Sequence, residues 1–170
     1  MRCAIAVAPL ALLATSCGGK ADPWAKSLAQ RSEHVELTGR VVVAGKRQLY
    51  TASGDFLNQP DQGTMTMYIG ETTVREVVTE GRIYLSSPTF HLPRGKWLSV
   101  DATKAFTGTQ TPAQIFRAGT ASGARIEDGL VRHVDIRASR VTMSIDFSRY
   151  GEPVLVHVPP PFATVREESR

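Results

Sequence analysis

The chain reads as mainly β: an antiparallel meander with two short helices laid on one face. Three observations say so. From Val35 onward apolar residues recur at every second position, as in Met65, Met67 and Ile69 or Val141, Met143, Ile145 and Phe147, the period of a half-buried strand. Turn signals interrupt these stretches at short intervals, with Glu80-Gly81 and Asp128-Gly129 each able to close a two-residue hairpin. Helix starts occur only at Asp22-Pro23 and Thr111-Pro112, where a capping residue precedes a proline whose missing N–H is harmless in a first turn. Successive strands with short turns imply antiparallel pairing, and the helices must then cover one face.

The elements follow in order. After Pro23, Trp24, Leu28 and Ala29 share a face while Lys26, Gln30 and Glu33 face away, which predicts an amphipathic helix ending near His34. Val35 to Val43 alternates as a strand, and Ala44-Gly45-Lys46 turns it into a second from Gln48 to Leu57. Asn58 to Gly63 is dense in loop formers, and Thr64 to Ile69 follows as a clean alternation. Strands are then expected at 72–79, 82–85 and 96–100, with an irregular 87–95 and a polar connector at 101–110. A helix over 112–118 stops at Gly119, and 120–124 is small and flexible. A stub at 125–126 and strands at 130–137, 141–147 and 154–158 complete a count of roughly nine strands and two helices. Pro159 to Pro161 end the last strand, and 163–170 reads as a flexible tail.

The first seventeen residues speak about location. Met1-Arg2 is a positive start, Cys3 to Leu13 an apolar run, and Ala14-Thr15-Ser16 a small-residue stretch before Cys17. That is the order of an export signal, and the run is too short to cross a bilayer of about 30 Å. Leu13-Ala14-Thr15-Ser16-Cys17 resembles the lipobox of bacterial lipoproteins. The resemblance implies cleavage after residue 16, a diacylglyceryl thioether on Cys17, and attachment to the outer face of the cytoplasmic membrane or the cell envelope. The expected organisation is therefore signal 1–16, lipidated tether 17–21, domain 22–162 and tail 163–170.

Composition narrows the function classes. The chain is 42% hydrophobic and 21% charged, which suits one globular core. Of its two cysteines, Cys3 would leave with the signal and Cys17 would be acylated, so no disulfide is expected in the mature chain. The net charge of +4 comes from scattered Lys and Arg, without the basic run or aromatic-basic motif of a nucleic-acid binder, so no nucleic-acid partner is expected. His34, His91, His133 and His157 stand apart in sequence, with no metal-ligand spacing, so neither metal nor cofactor is expected. There is no Gly-x-Ser-x-Gly elbow or phosphate-cradling loop, and an enzyme is not expected.

Several stretches together resemble a known group. Gly81-Arg82-Ile83-Tyr84-Leu85, followed by Leu92-Pro93-Arg94-Gly95-Lys96-Trp97-Leu98-Ser99-Val100-Asp101, is similar to the "G-x-x-Y-x … P-x-G-K-x-W-x-x-V-D" pattern of actinobacterial LppX/LprG-type lipoproteins, in the LolA/LolB-like lipoprotein-carrier superfamily. Thr111-Pro112-Ala113-Gln114 resembles the group's "D-P-A-Q" helix start. Gly129 to Val134 and Asp146 to Val154 resemble its terminal hairpin. The resemblance implies a half-barrel, a strongly curved antiparallel sheet whose concave face, lined by two helices, accommodates a lipid or other apolar ligand for binding or transfer. It is shortened relative to the family, since only Arg117 to Arg125 fills a stretch that is longer in relatives.

On that reading Met65, Met67 and Ile69 on one strand and Met143 and Ile145 on another would line the ligand site, with Trp24, Leu28 and Phe116 contributed by the helices. Thioethers suit such a wall because they adapt to irregular apolar shapes, although the same residues would serve equally in a packed core. The alternative function is an envelope protein-interaction or sensing module of the same fold, binding a protein partner without carrying lipid.

Overall fold

The structure, a computed structural model, describes residues 22–43, 46–79, 81–102, 111–119, 123–137 and 141–166. The signal, the tether with Cys17, the turn at 44–45, the connector at 103–110, the small residues at 120–122 and residues 167–170 lie outside the described residues. The first helix, α1, is Pro23–Leu28, and strands β1 (Ser32–Val43), β2 (Lys46–Asn58), β3 (Asp61–Ile69), β4 (Thr72–Thr79), β5 (Arg82–Ser86) and β6 (Trp97–Asp101) follow. The second helix, α2 (Pro112–Ala118), leads to β7 (Gly123–Glu127), β8 (Leu130–Arg137), β9 (Val141–Ser148) and β10 (Thr164–Arg166). Single 3-10 turns occupy Pro88–Phe90 and Pro161–Ala163. None of the described helices is long and apolar enough to cross a membrane.

The ten strands of the described residues form one open, curved sheet in the order β10-β6-β5-β4-β3-β2-β1-β9-β8-β7. Neighbours are antiparallel except β10, which runs parallel to β6. The chain lays down β1 to β6 as a meander, crosses the sheet through α2, and returns as β7, β8 and β9, so that β9 pairs with the free side of β1. Residues 149–163 then run back across the strand ends to β10. This strap is pinned where Gly151 N–H donates to the Ser32 carbonyl at 2.9 Å and the Ser32 hydroxyl donates to the Glu152 carbonyl.

Each element has a local cause. In α1 the Asp22 carboxylate accepts the Trp24 N–H at 3.1 Å. In α2 the Thr111 hydroxyl accepts from Gln114 N–H and the Gln114 side chain accepts from Thr111 N–H, a complete capping box. Gly119 ends α2 at φ 60°, where an L side chain is strained. The sheet curls where glycines on its inner face let an aromatic ring from the next strand fold over them. A Cβ on Gly39 would lie 2.5 Å from the Tyr50 ring, and one on Gly63 would overlap the Phe56 ring.

Four expectations are corrected. The first helix ends at Leu28 instead of near His34, because Ser32, Glu33 and His34 already pair with Leu57, Phe56 and Asp55 as the start of β1. Asn58 to Gly63 is not a loop: Asn58 pairs with Asp61 across a two-residue turn containing a cis Gln59–Pro60 bond. Residues 154–158 form no ladder. Their alternation, with Leu155 exposed between half-buried Val154 and Val156, is that of a strap lying on a surface. The last strand instead falls at Thr164–Arg166, where a loose tail was expected. By contrast β4, β8 and α2 have the expected bounds.

Candidate functional site

The candidate site is the inner, helix-bearing face of the sheet. Residues directly opposite in a ladder share a face, so the pairing fixes which side chains meet. One inner row runs Phe147, Val35, Gly54, Met65, Glu76, Leu85, Leu98 from β9 to β6. The next runs Val134, Ile145, Leu37, Ala52, Met67, Val74. A third includes Met143, Gly39, Tyr50 and Ile69. The expected residues of β3 and β9 thus stand on the same face. A bulge opposite Arg125/Ile126 lets Val131 join Val134 in complete burial.

Helices α1 and α2 touch each other and pack chiefly on β8 and β2 respectively. Phe116 of α2 is buried with Met65, Met143 and Ile145 of the sheet in one hydrophobic cluster, with Trp24 and Leu28 of α1 and Met67 and Leu85 of the sheet packed against it. The Phe116 ring lies 4.9 Å from that of Phe147 and 6.5 Å from that of Tyr150. Ile69 is half-buried. On the β3–β6 side of the helices, Met67, Ile69, Val74, Leu85 and Leu98 are all only half-buried. The inner face therefore has two parts: a ring-packed half beneath the helices, and a half on β3–β6 where these half-buried apolar residues alternate with buried Met65, Glu76, Val78, Ile83 and Val100.

Two carboxylic acids are set into this face, and no sequence motif marks either. Glu33, expected to face away from a helix, is 1% exposed on β1. Its Oε2 accepts from Asn58 Nδ2 at 2.6 Å, and the same amide donates to the Gln30 carbonyl at 3.0 Å. Glu33 Oε1, Asn58 Oδ1 and Asp61 Oδ1 have no hydrogen-bond partner. Burial, aided by the charge of Asp61 and opposed by the Asn58 hydrogen bond, pushes Glu33 up to about 8. The second acid, Glu76 on β4, is 4% exposed, its Oε1 has no partner, and burial pushes it up to about 7. A signal for Glu76 was present: it interrupts the alternating set Val74, Glu76, Val78.

Ser27 and Tyr150 tie α1 to this corner. The fully buried Ser27 hydroxyl accepts the Val131 N–H at 2.9 Å, and the Tyr150 hydroxyl donates to the Val131 carbonyl. Burial, and to a lesser degree the charge of Glu33, raises the Tyr150 phenol well above its ordinary range.

The outer face is mainly polar, although Val42, Leu49 and Tyr68 are exposed on it and Val77 is buried there. His34, in β1 and not in a helix, has Nδ1 2.6 Å from Asp55 Oδ1 and Nε2 3.3 Å from Ser53 Oγ. This is the connectivity of a nucleophile–base–acid relay, but it stands on mid-sheet strands whose backbone N–H groups are engaged in the ladders with β1, β3 and β9. Oxyanion stabilisation needs free donors aimed at the reacting group. His133 pairs with Asp146 at 2.8 Å and Asp135 at 3.4 Å. The Ser144 hydroxyl, with His133 beside it, holds Asp135 below the usual carboxylate range. Among the described residues no cluster of three or more His, Cys, Asp or Glu is arranged to hold a metal ion.

Two clefts stand apart from the helix-bearing face. One of about 140 Å³ lies at the strand ends between Glu33, His34, Asp55, Thr64 and the strap residues Arg149 and Glu152 to Leu155. The other, about 500 Å³, lies between Thr73, Arg75 and Ser86 and the loop Ser87 to Lys96, with Arg75, Arg94 and Lys96 as its charged residues. Neither cleft is lined by any of the expected apolar site residues.

No family model matches this chain, and no curated protein matches it. Among solved structures, the crystal structure of LprF from Mycobacterium bovis is similar at a TM-score of 0.49, with 15% identity, covering 81% of this chain and 93% of that one.

Proposed function

We propose that this chain is an exported, lipid-anchored envelope protein that holds a lipid or other apolar ligand against the inner face of its sheet. The observation that carries the reading is the β3–β6 half of that face, where Met67, Ile69, Val74, Leu85 and Leu98 are half-buried and apolar beside the helices. A partly open apolar wall beside a packed core is the kind of lining on which apolar ligands are held. A methionine in such a wall adapts to an acyl chain at little cost in strain. The ring-packed half under α1 and α2 then acts as the rigid support for that surface. The N-terminal pattern ending at Cys17 supports attachment to a membrane, which would place this face near a supply of lipid.

The tight packing of Phe116, Met143 and Ile145 favours a second reading, in which the whole inner face is structural and the protein docks another envelope protein. Native mass spectrometry of wild-type protein and Met67→Gln separates the two. If the inner face carries lipid, the wild type retains a co-purified lipid. Met67→Gln then loses it while giving up only about 1 kcal/mol, because a surface open to ligand also admits water to the new amide. If the face is structural, the wild type carries nothing and Met67→Gln costs several times as much, about 2–5 kcal/mol.

A further inference from the structure

We infer that Glu76 is the polar anchor of the inner-face ligand site, and that the ligand it selects is a neutral lipid carrying a free hydroxyl group. The inference rests on the reading of that face as a ligand site and specifies the ligand's chemistry.

Glu76 is an anomaly in its ladder. It lies on the inner face between Met65 and Leu85, its direct partners on either side, and its own strand presents Val74 and Val78 on the same face. Each of these neighbours is apolar. The side chain is nevertheless 4% exposed, and its Oε1 receives no hydrogen bond from the protein. A leucine there would continue the row and would avoid the penalty of burying an acceptor without a donor. The position thus sacrifices stability, and a donor from outside the chain would restore it.

The donor's chemistry is set by the surroundings of the carboxyl. An ammonium would bring a second ion into an apolar setting, and the desolvation of both charges opposes that pairing. A hydroxyl satisfies the one orphaned oxygen without carrying charge inward, and the chain attached to it meets Met65, Leu85 and Leu98 along the same row. Because burial leaves the carboxyl near its titration midpoint at neutral pH, both of its forms are present, and either accepts from a hydroxyl. Discrimination arises when the carboxyl is ionised: an analogue without the donor then leaves the buried oxygen unsatisfied, whereas the protonated acid can itself donate to an ether oxygen.

The test pairs two probes that differ only in the donor, 1-hexadecanol and its methyl ether, offered to the full-length chain and read by native mass spectrometry. Above pH 8, where the carboxyl is mainly ionised, wild type is expected to bind the alcohol about tenfold more tightly than the ether. Glu76→Leu is expected to bind both about equally, and Glu76→Gln, which keeps an acceptor, to retain part of the preference. Should Glu76→Leu fail to fold, the Gln variant carries the comparison. Wild type binding both probes equally overturns the role of Glu76 and leaves the ligand site standing. Wild type binding neither overturns the ligand site itself and the anchor with it.

Discussion

Replacing Glu33 by glutamine should make this protein more stable at neutral pH, the reverse of the usual effect of removing a partnered carboxylate. Glu33 is 1% exposed, and its carboxyl keeps its proton up to about pH 8 when folded, against an ordinary value of 4.5. The folded chain therefore binds more protons than the unfolded chain throughout that window. Stability from this group is complete below pH 4.5 and is lost as pH rises towards 8, because unfolding then releases a proton. The penalty amounts to about 3 kcal/mol at pH 7 and about 4 kcal/mol at pH 8. Glutamine cannot ionise, and its amide oxygen can still accept from Asn58 Nδ2.

Urea unfolding of wild type and Glu33→Gln at pH 4.5, 6, 7 and 8 measures this directly. The variant's advantage should be near zero at pH 4.5 and reach about 3 kcal/mol at pH 7, a rise in midpoint of roughly 1.5–2 M for a domain of this size. Glu76 contributes a penalty of the same sign to both proteins, between 4.5 and about 7, and cancels in the difference. Two curves that run parallel from pH 5 to 8 would refute the reasoning. A variant less stable than wild type at pH 7 would mean that Glu33 is held as a useful anion.

Phe116→Ala removes a ring that is 2% exposed and packed against Phe147; it should cost about 3–5 kcal/mol in the same assay, and a loss under 1 kcal/mol would show that α2 does not seal the core. Cys17→Ser should move the protein from the membrane to the soluble fraction or stall its processing, since stable anchoring takes more than one acyl chain. Unchanged fractionation with normal cleavage would refute the lipid anchor.

The parts legible in the sequence are those fixed by local chemistry. β4, β8 and α2 are bounded by Glu80-Gly81, Asp128-Gly129 and the Thr111-Pro112 to Gly119 pair, and each signal acts within a few residues. The misread parts depend on distant partners. Ser32 to His34 continue a plausible helix until β2 claims them on one side and β9 claims His34 on the other. Residues 154–158 alternate like a strand, and only the position of the sheet beneath shows that they pair with nothing. The common face of Met65, Met67, Ile69, Met143 and Ile145 follows from alternation, whereas the burial of Met65, Met143 and Ile145 and the half-burial of Met67 and Ile69 depend on where α1 and α2 land. Glu33 was hidden by the wrong element, and Glu76 shows in the sequence only as a polar break in an apolar series.

The short pairing of β10 with β6 has a consequence for how this protein survives as an open sheet. A sheet that does not close into a barrel leaves two rows of unpaired backbone groups, which invite strand addition by another chain. Here one margin is the three-residue β10 and the other the five-residue β7, whose outward residues include Arg125 and Glu127 in an ion pair at 3.3 Å. Short, charged margins of this kind give a second molecule little to pair with. The sheet can thus stay open along its side, where a long ligand could enter without threading through a closed mouth, and still avoid growing into a fibre.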